Sequence, residues 1–221
     1  MYLTRFAVNP ARRQARFLLG SPQAMHAAVM ASFGPESVGE PGEGRVLWRI
    51  DRDGYATWLY VVSPRQPQMT HLAEQAGWSD DSTWSTRDYR PLLDRLEPGQ
   101  HWAFRLHANP VHVITRAHDG KKIRVGHVTA AQQQQWLLDR CKDHGFSVLP
   151  SVDDEPGVTV SQRQKRTFRR GNGSVTLSTA QFDGQLQVED PDTLRHSLVH
   201  GIGKAKGYGC GLLTIASPVS R

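Results

Sequence analysis

Three groups of residues in this chain have types and spacings suited to chemistry. The segment from His200 to Ile215 holds five glycines (Gly201, Gly203, Gly207, Gly209 and Gly211) interleaved with Lys204 and Lys206. Glycine allows close approach to backbone amides, and the lysines add positive charge, so this density suits contact with a phosphate-bearing partner. A second group, Arg163, Lys165, Arg166, Arg169 and Arg170, is crowded into one stretch with no acidic residue between Val158 and Ser174. On a strand, Arg163, Lys165 and Arg169 share one face, and Arg166 and Arg170 share the other. A solvated edge strand guarded by charge usually mixes signs. One sign alone beside Gly171-Asn172-Gly173 is instead the footprint of a phosphate or nucleic-acid contact. The third group is His26, whose neutral-range pKa suits general acid or base work. Taken alone, such a histidine reads as a packing or hydrogen-bonding residue.

Other chemistries are disfavoured by pattern. His196 and His200 stand four apart, but Ser197, Leu198 and Val199 between them give no His-Glu-x-x-His, and no third ligand is near. No metal site and no cofactor are expected. There is no GxxxxGK[ST] phosphate loop and no GxSxG elbow. The glycine-rich segment precedes a strand instead of opening a helix after one, which excludes a dinucleotide fingerprint.

The elements that must position these groups follow from punctuation and periodicity. Tyr2, Leu3, Phe6 and Val8 predict a strand ended by Asn9-Pro10. Ser21-Pro22 supplies a cap and a first-turn proline for a helix running to about Phe33, where Gly34-Pro35 stops it. Met25, Ala28, Val29 and Ser32/Phe33 form its buried stripe, and His26 falls at the margin of that stripe, with Gln23 one turn before it. Residues 34–44 read as an exposed loop. Strands over Val46–Asp51 and Ala56–Ser63 flank an Asp53-Gly54 hairpin turn, and a short helix follows near 70–77. The polar region 79–99 reads as a linker or strand boundary.

Beyond it, His101–His107 predicts a strand, continued by Val111–Thr115 up to the Asp119-Gly120 turn. Ala130–His144 predicts a helix with Trp136, Leu137 and Cys141 on one face. A short strand at Phe146–Leu149, long strands over Val158–Arg170 and Ser174–Val188, a helix over Pro191–His200 and a strand at Leu212–Ile215 complete the chain. The first half therefore reads as β-α-β-β-α and the second approximately as β-α-β-β-α-β, and their likeness predicts an α+β chain of two tandem ferredoxin-like (RRM-like) domains, 1–90 and 91–221.

Composition fits that reading. The chain has 221 residues, 22% charged and 38% hydrophobic, with 27 Lys and Arg against 21 Asp and Glu for a net charge of +6. That describes a folded chain with room for a substantial core and a bias toward anionic partners, nucleic acid first among them. Two cysteines, no signal-peptide pattern and no membrane-length apolar run predict a cytoplasmic protein with no membrane partner.

Three segments resemble the CasE family, the CRISPR repeat endoribonucleases of the type I-E Cascade system. They are Met1-Tyr2-Leu3, Phe104-Arg105-Leu106-His107-Ala108-Asn109-Pro110, and the stretch from Gly201 through Gly203-Lys204-Ala205-Lys206-Gly207-Tyr208-Gly209 to Leu213. The resemblance implies two ferredoxin-like domains and a metal-independent enzyme. It implies that the enzyme binds the stem-loop of CRISPR repeat RNA, cleaves at the base of the stem by attack of the 2′-hydroxyl, and keeps the mature guide for Cascade. It places the catalytic histidine at His26, with Gln23 where members can carry a tyrosine, and leaves open whether His26 is the general base or the general acid. It maps RNA binding onto Arg163, Lys165, Arg166, Arg169 and Arg170, and Lys204 and Lys206 of the glycine-rich loop are read as further RNA-backbone contacts. Expected partners are the repeat RNA and other Cascade subunits, with a monomer outside the complex. The competing reading is a non-catalytic RNA-hairpin-binding protein, although the chain lacks the Lys/Arg-Gly-Phe motif by which RRM sheets stack bases.

Overall fold

A computed structural model of the chain describes residues 1–34, 44–79, 83–116, 118–151, 155–171 and 173–218. It divides into two compact units. The first comprises Met1–Arg95 with two segments from far along the chain, Val199–Gly201 and Lys206–Leu212. Its elements are β1 (Tyr2–Val8), α1 (Arg13–Gly20), α2 (Pro22–Met30), β2 (Leu47–Asp53), β3 (Ala56–Ser63), α3 (Thr70–Ala76), β4 (Trp84–Asp88) and α4 (Arg90–Asp94). The antiparallel sheet runs β2-β3-β1-β4.

Alternation along the strands turns Phe6, Val8, Leu59 and Val61 toward Leu18, Met25, Val29 and Leu72 of the helices, closing the core of this unit. The helix expected from Ser21 is there, but a separate α1 precedes it. Ser21 is extended (φ −129°, ψ 103°), as a residue before proline prefers, so the two helices break at this point. Its hydroxyl accepts from Ala24 N at 3.2 Å and caps α2.

The region read as a linker supplies β4 and α4, with Tyr89, Leu93 and Leu96 buried. Trp84-Ser85-Thr86-Arg87-Asp88 is an edge strand whose polar side chains carry little strand signal. The loop expected over 34–44 falls mainly on residues 35–43, outside the described residues.

The second unit comprises Leu96–Leu198, Ile202–Ala205 and the chain from Leu213. Its elements are β5 (His101–Ala108), β6 (Val111–Thr115), β7 (Lys122–Gly126), α5 (Ala130–Cys141), β8 (Phe146–Val148), β9 (Val158–Arg170), β10 (Gly173–Val188), α6 (Pro191–His200, whose last two residues belong to the first unit) and β11 (Leu213–Ala216). The main sheet runs β11-β5-β10-β8, with β9 also paired to β10.

Each unit thus has the ferredoxin-like arrangement, its outer strands flanking a central pair, and the α+β expectation holds. Trp136, Leu137 and Cys141 are buried on one side of α5, as the spacing predicts, and Trp136 stacks on Phe182 at 6.0 Å. Thr129 and Gln132 form a reciprocal cap at the start of α5. Val111–Thr115 does not continue β5. It turns away and pairs with Lys122–Gly126 as a separate two-stranded sheet inserted between β5 and α5. Among the described residues, no helix is long and apolar enough to cross a membrane.

One buried charge pair ties the distant segment to the first unit. Arg49 and Asp51, two apart on β2, face the same way; their side chains are 2% and 6% exposed and joined by bonds of 2.6 and 2.9 Å. Arg49 Nη1 also donates to the carbonyl of Leu212 at 3.0 Å. Removing one partner strands the other charge in the interior, so Asp51→Ala should destabilise the protein by about 3–5 kcal/mol, measured by urea unfolding. A loss below about 1 kcal/mol, the range of a solvent-exposed pair, would contradict this placement.

Candidate functional site

Helix α2 buries Met25, Val29 and the following Ser32, and leaves Ala28 and Phe33 half-covered. His26, one step around from Met25, is half-buried, while Gln23 is exposed on the outer side. The imidazole is held from the neighbouring strand: Trp48 Nε1–H donates to His26 Nδ1 at 3.4 Å. With Nδ1 accepting, the proton of the neutral ring resides on Nε2. Burial, and secondarily the positive charge of Arg45, lower the pKa of His26 below its ordinary value of 6.5. The neutral ring is therefore the prevalent form at neutral pH.

The glycine-rich segment closes the other side. Lys206–Tyr208 form a single 3-10 turn within the first unit. A methyl group placed on Gly207 would lie 3.6 Å from His26 Nε2 and 3.7 Å from Cε1. The backbone thus passes directly beside the free nitrogen of the ring.

Two glycines further on, Gly209 has φ +77°, and a Cβ there would sit 2.6 Å from the Trp48 ring. Only glycine meets both conditions. Gly201 is similarly confined, at φ +75° with Leu47 2.9 Å from where a Cβ would be. Part of the glycine density, read from sequence as a phosphate cradle, thus serves to press the segment onto β2. Lys206 sits next to Gly207, and its Nζ donates to the carbonyl of His200 at 2.7 Å, covering the end of α6.

Arg45 and Trp48 are members of the site that sequence reasoning missed. Nothing in the order of residues marks them; only the packing of β2 beside α2 brings them to His26.

The remaining predicted site residues belong to the second unit. Lys204 is exposed there, one residue before Ala205, which takes the left-handed φ of 66°. In the basic hairpin, Lys165 and Arg169 are exposed and Arg166 is half-buried. The register pairs Lys165 with Ser178, Arg166 with Leu177, Arg169 with Ser174 and Arg170 with Gly173. Lys165 and Arg169 therefore lie on one face and Arg166 and Arg170 at positions of the other, as alternation predicts. Asn172, in the expected turn, lies outside the described residues.

A bulge interrupts the ladder where Thr179 pairs with Gln164 and Gln181 with Ser161, and Gln162 adopts φ 45°. Arg163, within the bulge, donates through Nε to Gln133 Oε1 at 2.9 Å and through Nη2 to the carbonyl of Val128. Its guanidinium anchors the root of the hairpin to the start of α5. His196 and His200 form no metal cluster, since no group of three or more His, Cys, Asp or Glu suited to a metal occurs among the described residues. Cys141 and Cys210 are free and buried, each thiol pushed up to about 12 by burial.

Comparison with known proteins places this geometry in a family. A relative at 31% identity is the CRISPR-associated endoribonuclease Cse3 of Thermus thermophilus, matched over 98% of this chain and 100% of the relative. Another, at 30%, is the CRISPR system Cascade subunit CasE of Escherichia coli, over 77% of this chain and 88% of that protein. The structure of Thermus thermophilus Cse3 bound to an RNA representing a pre-cleavage complex superposes with a TM-score of 0.77 at 30% identity, covering 97% of this chain and 98% of that one. The family model described as CRISPR associated protein matches residues 1–217, and this chain belongs to that family.

Proposed function

We propose that this chain is a metal-independent endoribonuclease that binds the stem-loop of CRISPR repeat RNA and cuts at the base of the stem. It retains the mature guide for assembly with the other Cascade subunits. The RNA-cutting assignment is supported by Cse3, named an endoribonuclease and matched over its whole length, and the partner assignment by CasE, named a Cascade subunit. The cytoplasm, a reducing compartment, suits a protein whose two thiols are free and buried.

The observation that carries the chemistry is the neutral, half-buried His26 with Nε2 beside the backbone of Gly207. The ribose 2′-oxygen attacks the adjacent phosphorus and gives its proton to His26 Nε2 as the O2′–P bond forms. The P–O5′ bond breaks, the leaving oxygen takes up a proton from solvent water, and the products are a 2′,3′-cyclic phosphate and a 5′-hydroxyl. To accept at Nε2, the ring adopts the tautomer protonated on Nδ1 and releases Trp48. That contact is long, at 3.4 Å, but Trp48 is only 3% exposed, so leaving its N–H without an acceptor adds about 1–3 kcal/mol to the step.

Arg45 and Lys206 add positive potential where charge builds on the phosphate. The basic strand residues Lys165, Arg166, Arg169 and Arg170, with Lys204, bind the RNA backbone, and Arg163 fixes the hairpin that carries them. In this division the first unit cuts and the second binds.

His26→Ala should slow cleavage of a labelled repeat hairpin by about 10²-fold or more, the usual contribution of a proton-transfer group, while RNA still binds. Cutting at the normal rate by that variant would remove His26 from the mechanism. Cleavage by the unaltered protein should persist in EDTA and stop when the nucleotide before the cut carries a 2′-deoxyribose. Cleavage of that RNA would exclude attack by the 2′-oxygen.

The pH dependence has a definite sign. A general base with a lowered pKa stays deprotonated further into acid, so the single-turnover rate should rise with pH and level off above an inflection below 6.5. A rate that falls as pH rises through that region would assign His26 the acid role instead.

A further inference from the structure

The inserted β6–β7 hairpin is absorbed neither by the ferredoxin-like fold nor by the site around His26. Its two strands make a separate sheet, and such a hairpin has little stability by itself. Between Val111 and Val128 it carries Arg116, Lys121, Lys122 and Arg124 against one carboxylate, Asp119. Asp119 is already shared among Arg116, His118 and Lys121 at 3.6–4.0 Å. Lys122 and Arg124 are exposed on its second strand, opposite Thr115 and Val113. Val113 and Val128 are 59% and 72% exposed, so the arm presents cations beside uncovered apolar side chains.

The root of this arm is fixed to the root of the other basic hairpin. The carbonyl of His127 accepts from Ser178 Oγ at 3.0 Å and from Gln133 Nε2 at 3.1 Å. Ser178 N donates to Asn109 Oδ1 at 2.9 Å. Arg163 of β9 completes the node through Gln133 and Val128. Two arms of one sign therefore leave a single hydrogen-bonded junction within one unit.

We propose that β6–β7 is a second phosphate-binding arm for the same RNA, with Lys121, Lys122 and Arg124 as its contacts. The inference rests on the RNA reading above. An RNA backbone offers an unbroken row of negative charge that two neighbouring basic arms can share.

The test uses full-length protein and a repeat hairpin RNA, with affinity measured across about 50–200 mM salt. Lys121→Ala/Lys122→Ala/Arg124→Ala should weaken binding about tenfold or more and flatten the log K against log salt slope by about 2. Lys121→Arg/Lys122→Arg/Arg124→Lys, which keeps the charge, should bind as the unaltered protein does. Equal loss in both triple variants would mean a disturbed fold and overturn the assignment. Arg166→Ala/Arg169→Ala separates the two readings. If it weakens binding while the alanine triple does not, the second arm is refuted and the RNA reading stands; if neither weakens it, both fall.

Discussion

The indole of Trp48 is shared by two neighbours that sequence places far apart. Its N–H donates to His26 on α2, and its ring occupies the space a side chain at Gly209 would need. The same residue thus orients the imidazole and seats the segment that runs beside it. The Trp48 bond fixes one orientation of an imidazole that is otherwise half-exposed. That arrangement selects which ring nitrogen faces the reaction, and burial keeps the ring neutral.

The seat itself is held by an interaction that is costly unless complete. Arg49 and Asp51 are both buried, and the carbonyl of Leu212 uses a remaining guanidinium donor. A buried ion pair contributes little net stability but is strongly destabilising when broken. The bond to the Leu212 carbonyl fastens that end of the returning segment to the pair. In the second unit a polar node plays the corresponding role: Arg163, Gln133, Ser178 and Asn109 exchange hydrogen bonds at the roots of two charged hairpins. Charges that leave such a node point away from a core that is otherwise apolar.

Much of the fold was legible in the sequence because local signals and tertiary packing agree. The cap and proline at Ser21-Pro22, the Asp53-Gly54 turn and the apolar face of Trp136, Leu137 and Cys141 are each satisfied in place. The misses have physical causes. Helix α1 begins among arginines with no capping side chain, and β4 is an edge strand with polar faces. Val111–Thr115 has strand-forming residues on both sides of its turn, and sequence alone cannot say which partner it takes.

Within the site, His26 and the basic run were visible as residue types. Trp48 and Arg45 were not, because their role comes only from β2 lying next to α2. The glycine segment was visible as unusual, yet its meaning shifted. Gly201 and Gly209 are there for close packing on Leu47 and Trp48, and that packing delivers Gly207 to the histidine.

The state of the His26 ring is open to direct measurement by ¹⁵N NMR of its two nitrogens as a function of pH. A neutral ring protonated on Nε2, with a pKa below 6.5, is the predicted result. A ring protonated mainly on Nδ1 at neutral pH, or one titrating above 6.5, would contradict the hold that Trp48 and burial exert on it.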